Sequence, residues 1–329
     1  VSRRSSIVAA AILCLLAFGG AARADQFLTL AASIPLPGVS GRIDHMAVDL
    51  ARKRLFVAEY GNDTLDVVDL AAGQRIRRVR GLDEPQGVGY APRADVVAVS
   101  NGGGTVRLYR GGDLAPLAEV ALGRDADNLR VDPRTGDVLV AHGDGGIAII
   151  DPARRMEIDN IGLPTHPESF QLDTRTRRIF ANLPRADQIA VIDLAAKRQI
   201  ARWRVPGLRD NFPMALDSAD NRLAIVFWHP PKLVLLDPQT GAVRAELPAC
   251  ADADDAYFDG KRDRLYVSCG AGAVDVFARG VAGRHRLSAV RTAPGARTSL
   301  FVPALNRLYV AAPARFGAPA RILVFRPLP

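Results

Sequence analysis

Along most of the chain, short apolar runs alternate with turn residues on a regular period, and the three-to-four spacing of amphipathic helices is not what recurs. A half-apolar run, a turn rich in Asp, Arg and Gly, and a second, more continuous apolar run appear together seven times. The copies are HMAVDLARKRLFVA from His45, QGVGYAPRADVVAV from Gln86, NLRVDPRTGDVLVA from Asn128, SFQLDTRTRRIFAN from Ser169, PMALDSADNRLAIV from Pro213, DAYFDGKRDRLYVS from Asp255 and SLFVPALNRLYVA from Ser299. Successive starts lie 41 to 44 residues apart. Each copy predicts two antiparallel strands joined by a tight turn. Asp49, Asp132, Asp173, Asp217 and Asp259 stand where a carboxylate accepts the turn's backbone N–H groups.

A third apolar run follows in each unit, such as TLDVVDL at Thr64–Leu70 or IAIID at Ile147–Asp151, and then a fourth such as PLAEVALG or QIARWRVPGL. Four strands per period is the signature of a propeller blade, so the chain is expected to be all-β, a seven-bladed beta-propeller. The seventh unit lacks a fourth strand, because RILVF at Arg321–Phe325 is followed only by Arg-Pro-Leu-Pro. FLTLAASIPLPG, at Phe27–Gly38, has the form of that strand and precedes the first unit, so it is expected to close the ring as the outer strand of the last blade. Composition agrees: Gly 29 and Pro 22 supply turns, and 48% apolar residues supply a core.

Residues 1–24 read as a secretory signal. Arg3 and Arg4 form a basic end, Ile7–Phe18 is apolar, and Ala22-Arg23-Ala24 offers a small-x-small cleavage site before Asp25. A periplasmic or secreted single domain, 25–329, is therefore expected. It has no membrane span, since no later segment reaches the ~18 apolar residues required. Cys250 and Cys269 are then the only thiols, and an oxidising compartment makes a disulfide between them the expectation. The formal charge of +8 falls to +5 once the three signal arginines are removed.

The forty-residue period, the Leu-Tyr-Val-Ser and Leu-Phe-Val-Ala second strands and the Val-Val-Asp or Val-Ile-Asp third strands resemble the YVTN-type repeats of exported, YncE-like seven-bladed propellers. The resemblance spans Phe27 to Phe325. It implies a fold that lactonases, haem-binding domains and non-catalytic binding proteins share, and it leaves the chemistry open.

Blade topology assigns each loop to a face. Connections leading into the inner strands, and those leaving the second strands, lie on one side of the disc. The lead-ins carry Asp44-His45, Gln86, Asp127-Asn128, Glu168, Asp254-Asp255 and, just upstream, His166, Asn211 and Arg297. Together they predict an acidic, His-containing funnel around the axis. Crowded carboxylates repel one another, and a divalent cation would relieve them; Asp44, His45 and Glu168 are the expected metal ligands. Arg297 is expected to pair with Asp254 or Asp255. The other face collects arginines, among them Arg52, Arg54, Arg177 and Arg262.

Three functions follow. The first is an exported binding or scaffold protein for a small polar ligand, a metal or a protein partner. The second is a metal-assisted lactonase-like or lyase-like enzyme using His45 or His166 as base. The third is a nucleic-acid binder using the arginine face. The chain has no Gly-x-Ser-x-Gly elbow, phosphate loop or zinc-protease helix motif, which favours the first.

Overall fold

A computed structural model describes residues 27–278, 285–315 and 317–329. The expected signal segment lies outside them. Seven four-stranded antiparallel sheets form the ring, and the inner strands begin where the repeat places them. They are Met46–Asp49, Pro85–Ala91, Ala126–Val131, Phe170–Asp173, Arg209–Asp217, Ala253–Asp259 and Ser299–Val302.

The ring closes as expected. Leu28–Pro35 pairs antiparallel with Arg321–Pro327, from Leu28 opposite Pro327 to Pro35 opposite Arg321, and becomes the outer strand of blade seven. Blade six fastens this clasp through Arg264, whose guanidinium donates to the Leu328 and Pro329 carbonyls at 2.6 and 2.8 Å and lies over the Phe27 ring. One side chain thus ties down both partners of the closing pair.

The core is seven apolar clusters, one between each pair of neighbouring blades. Strand periodicity explains this directly, because successive side chains leave opposite faces of a sheet. In the second strand of blade one, Leu55 and Val57 pack toward blade seven, whereas Phe56 and Ala58 pack toward blade two. A sheet covered on both faces needs a continuous apolar run, and the second and third strands supply it. Outer strands, with one edge in water, alternate exposed and half-buried positions, as in Arg198–Trp203.

The first residues of four inner strands depart from regular pairing. The register shifts between Pro85 and Val88, Ala126 and Leu129, Asn211 and Met214, and Ala253 and Asp255. In the same four blades Glu84, Asp125, Asp210 and Asp252 adopt positive φ at the start of the inner strand. Asp tolerates this left-handed conformation better than most residues. Bulges re-aim side chains, and in these blades they set the direction of the polar residues that follow: Gln86, Asp127 and Asp255 lie at the axis, whereas Asn211 bonds to blade four.

Candidate functional site

Most of the expected funnel residues converge on the axis, in two groups that face each other. The first comes from blades one, six and seven. Asp44 is fully buried; Arg42 Nη2 lies 2.5 Å and His45 Nε2 3.6 Å from its carboxylate, yet neither Asp44 oxygen completes a hydrogen bond. His45 Nδ1 lies 3.6 Å from Asp255 Oδ2, which also accepts the Ser299 backbone N–H at 2.7 Å. Arg297 pairs with Asp254 at 3.0 Å, as expected, and with Asp252 at 2.7 Å; Asp255 is not its partner. Arg42 is a second cation here that the lead-in pattern alone did not single out.

The second group comes from blades two, three and four. His166 Nε2 is 3.5 Å from Asp127 Oδ2 and its Nδ1 is 3.7 Å from Asp125 Oδ2. Glu168 brings a carboxylate oxygen within 4.8 Å of ligating atoms on both Asp127 and His166. Gln86 donates to Asp125 at 2.7 Å. Ser100 locks the approach of blade two to blade three: its Oγ accepts from Gly87 N–H at 3.0 Å and donates to the Asp127 carbonyl. Gly87 is required there, since a Cβ would meet that carbonyl at 2.4 Å.

Asn128 spans the two groups, its amide 3.2 Å from His45 Nε2. The amide orientation is assigned by partners, and with a doubly protonated imidazole the Asn128 oxygen is the end that faces it. Below this layer a cavity of about 420 Å³ runs down the axis from His45 and Asp255 past Met46, Val88, Leu129 and Leu300. Polar side chains, among them Arg130, Gln171 and Tyr257, share this lining with the apolar ones.

Burial, with Asp254 and Asp127 adding to it, raises the Asp44 carboxyl to about 7 despite His45 and Arg42. Burial and the neighbouring Asp127 raise Glu168 to about 7, against the pull of His166. Asp254 is also raised by burial, partly offset by Arg297. Burial pulls His45 down, but Asp255 and Asp44 outweigh it and lift the imidazole to about 10. His166 is raised too, because Asp127 and Glu168 overcome its burial. Carboxyls raised by burial beside imidazoles raised by carboxylates mark a site short of positive charge.

Two expectations are corrected. The metal trio Asp44, His45 and Glu168 does not assemble, because Glu168 enters from blade four and meets Asp127 and His166, whereas Asp44 and His45 enter from blade one and meet Arg42 and Asp255. Asn211 does not line the axis either. Its amide donates to Asn182 Oδ1 and the Gln188 carbonyl, bridging blades four and five. Polar residues leaving the second strands are likewise staples: Trp228 Nε1 donates to the Ala253 carbonyl, and Glu59 packs with Thr64 and Arg78 inside blade one.

Cys250 and Cys269 form a disulfide with Cα atoms 6.1 Å apart. It braces the loop carrying Asp252 and Asp254.

No protein-family model matches the chain, and no curated protein matches it. Among solved structures, a chain of the Kuenenia stuttgartiensis hydrazine synthase is similar with TM-score 0.74 and 16% identity, over 84% of this chain and 96% of its own. A chain of the mitotic checkpoint complex is similar with TM-score 0.78 and 13% identity, over 98% of each. At these identities the likeness shows the fold alone. The protein is a seven-bladed beta-propeller, an architecture that hosts many unrelated functions.

Proposed function

We propose that the chain is an exported, non-catalytic binding propeller whose funnel face takes up a small ligand presenting positive charge. The observation that carries this reading is a group of carboxylates at the axis, the buried Asp44, Asp127 and Asp255 with the half-buried Asp254, in which Asp44 has the Arg42 ion pair but no hydrogen bond. A buried polar atom left in that state favours whatever ligand satisfies it. The Cys250–Cys269 disulfide, the signal-like residues 1–24 and the YncE-like resemblance support a periplasmic or secreted location.

The metal-assisted lactonase or lyase reading needs a basic imidazole. His45, lifted to about 10, is protonated at neutral pH and does not accept a proton there. On the opposite face Arg52, Arg54, Arg177 and Arg262 are each committed to Asp partners, which reduces the positive charge free to meet nucleic acid there.

Thermal-shift and calorimetric titrations with alkylammonium, guanidinium and polyamine ligands, against small carboxylates as the opposite charge, test the reading. Cationic ligands are expected to raise Tm, by an amount equivalent to about 2.7 kcal/mol at a hundredfold excess over Kd, and Asp254→Asn to weaken them. Binding of carboxylates with no response to cations overturns the proposal.

A further inference from the structure

The two halves of the funnel are unequally compensated. Around blades one, six and seven, Asp44, Asp252, Asp254 and Asp255 face Arg42, Arg297 and His45. Around blades three and four, Asp125, Asp127 and Glu168 have no Arg or Lys ion pair among the described residues, and only the imidazole of His166 faces them.

Within that poorer half the donor geometry is specific. One atom each from Asp127, His166 and Glu168 lie within 4.8 Å of one another. His166 Nε2 and Asp127 Oδ2 stand 3.5 Å apart. That is long for a hydrogen bond but close to the separation of two ligands that share a tetrahedral ion at about 2.0–2.1 Å.

Burial supplies an independent observation. His166 is only 5% exposed, and neither ring nitrogen has a short hydrogen bond: Nε2 makes only the 3.5 Å contact to Asp127, and Nδ1 lies 3.7 Å from Asp125 Oδ2. A closed imidazole held so loosely is costly unless something else engages Nε2, with Nδ1 then turned to the Asp125 carboxylate. The local backbone holds the ring in place, since His166 sits between Thr165 and Pro167 and Glu168 N–H donates to the Asn182 carbonyl at 3.0 Å.

We propose that Asp127, His166 and Glu168 form a binding site for a divalent transition-metal ion of the Zn²⁺ or Mn²⁺ kind. One imidazole and two carboxylates suit these ions, whereas Ca²⁺ prefers six to eight oxygens and Mg²⁺ retains most of its water. Three protein donors leave at least one coordination position facing the funnel mouth, where a polar ligand would complete the shell. The inference rests on the acidic-funnel reading above and names the positive charge that the funnel takes.

The test uses the purified protein, stripped with a chelator and titrated by calorimetry with Zn²⁺, Mn²⁺, Ca²⁺ and Mg²⁺. One Zn²⁺ or Mn²⁺ per chain is expected, bound at least tenfold more tightly than Ca²⁺ or Mg²⁺. His166→Gln and Glu168→Gln should each weaken it by about tenfold or more, while Glu119→Gln on the outer rim leaves it unchanged. Pulsed EPR of the Mn²⁺ form should show one nitrogen coupling that His166→Gln removes; circular dichroism establishes that both variants are folded. No stoichiometric binding, binding undiminished in both variants, or an equal preference for Ca²⁺ overturns the site. Organic-cation titration of the same preparation separates the two claims. Amine binding with a flat metal titration overturns only the metal site, and flat titrations of both overturn the funnel reading with it.

Discussion

The two faces of the disc use the same residue, aspartate, at equivalent repeat positions and put it in opposite electrostatic states. On the turn face, Asp49 is buried but accepts the Arg52 backbone N–H and pairs with both Arg52 and Arg54, and these partners, outweighing its burial, hold its carboxyl below the ordinary value. Asp173 does the same through Thr176 and the Arg175 backbone, again against its burial. On the funnel face, Asp44 is equally buried, has no hydrogen bond and rises to about 7. Burial is common to both faces; what differs is how many donors came with it, since Asp44 has only the Arg42 ion pair and the 3.6 Å approach of His45. The turn carboxylates are therefore bound into the fold more fully than Asp44 is.

The largest test of this contrast is Asp49→Ala. It strips the buried Arg54 of its carboxylate, while the exposed Arg52 keeps Asp95, and is expected to cost about 3 kcal/mol, read by chemical denaturation. Next comes the double substitution Cys250→Ser with Cys269→Ser, which should cost about 2–4 kcal/mol. By hydrogen exchange, the loss should loosen the amides around Asp252–Asp254 and leave the turn face protected; equal loosening of both faces would break the comparison.

Asp44→Asn is expected to act with the opposite sign to Asp49→Ala. At pH 8 it should stabilise the unliganded protein by about 1–2 kcal/mol, since it removes an ionised group that burial disfavours, and near pH 4 it should change little.

The pH profile follows from the same signs. Burial raises Asp44 and Glu168 to about 7 and Glu59 to about 8. Each contributes stability that is complete below its unfolded value near 4 and is lost as pH climbs through 7 to 8. His45 adds a contribution present below 6.5 and lost through about 10. The lowered Asp49 and Asp173 contribute above 3.8 and lose that contribution as pH falls further. The Tm of the unliganded protein should therefore peak at mildly acidic pH and decline toward pH 8. A profile rising from pH 5 to 8 would refute the assignment. The smallest effect belongs to Arg124→Ala, whose exposed pair with Asp144 at the funnel rim is worth at most about 1 kcal/mol.

Much of this architecture was legible in the residue pattern. The seven copies and the orphan strand Phe27–Gly38 predicted both blade number and closure, because strand periodicity and turn chemistry are local. The pairing of Cys250 with Cys269 followed from topology, which put both at strand ends on one face. The site was legible only in part. Asp44, His45, Asp127, His166, Glu168, Asp254 and Asp255 do gather at the axis, but their partners were misjudged. Asn211 had the same sequence position as the funnel residues, yet a register shift between Asn211 and Met214 turned it into a bridge between blades. Arg42 and Asp125 carry no motif; Arg42 matters through its pair with Asp44 two residues on, and Asp125 through Gln86 and His166 from the neighbouring blades.

The sequence alone determined the period, the strands, the faces and the class of residues brought to each, since all of these depend on side-chain alternation and turns within some forty residues. Only the closed ring decided that His166 and Glu168 would meet Asp127, and that His45 would meet Asp255. Those encounters join residues from different blades, and their geometry is set by bulges, left-handed lead-in residues and inter-blade packing that no local stretch of sequence encodes.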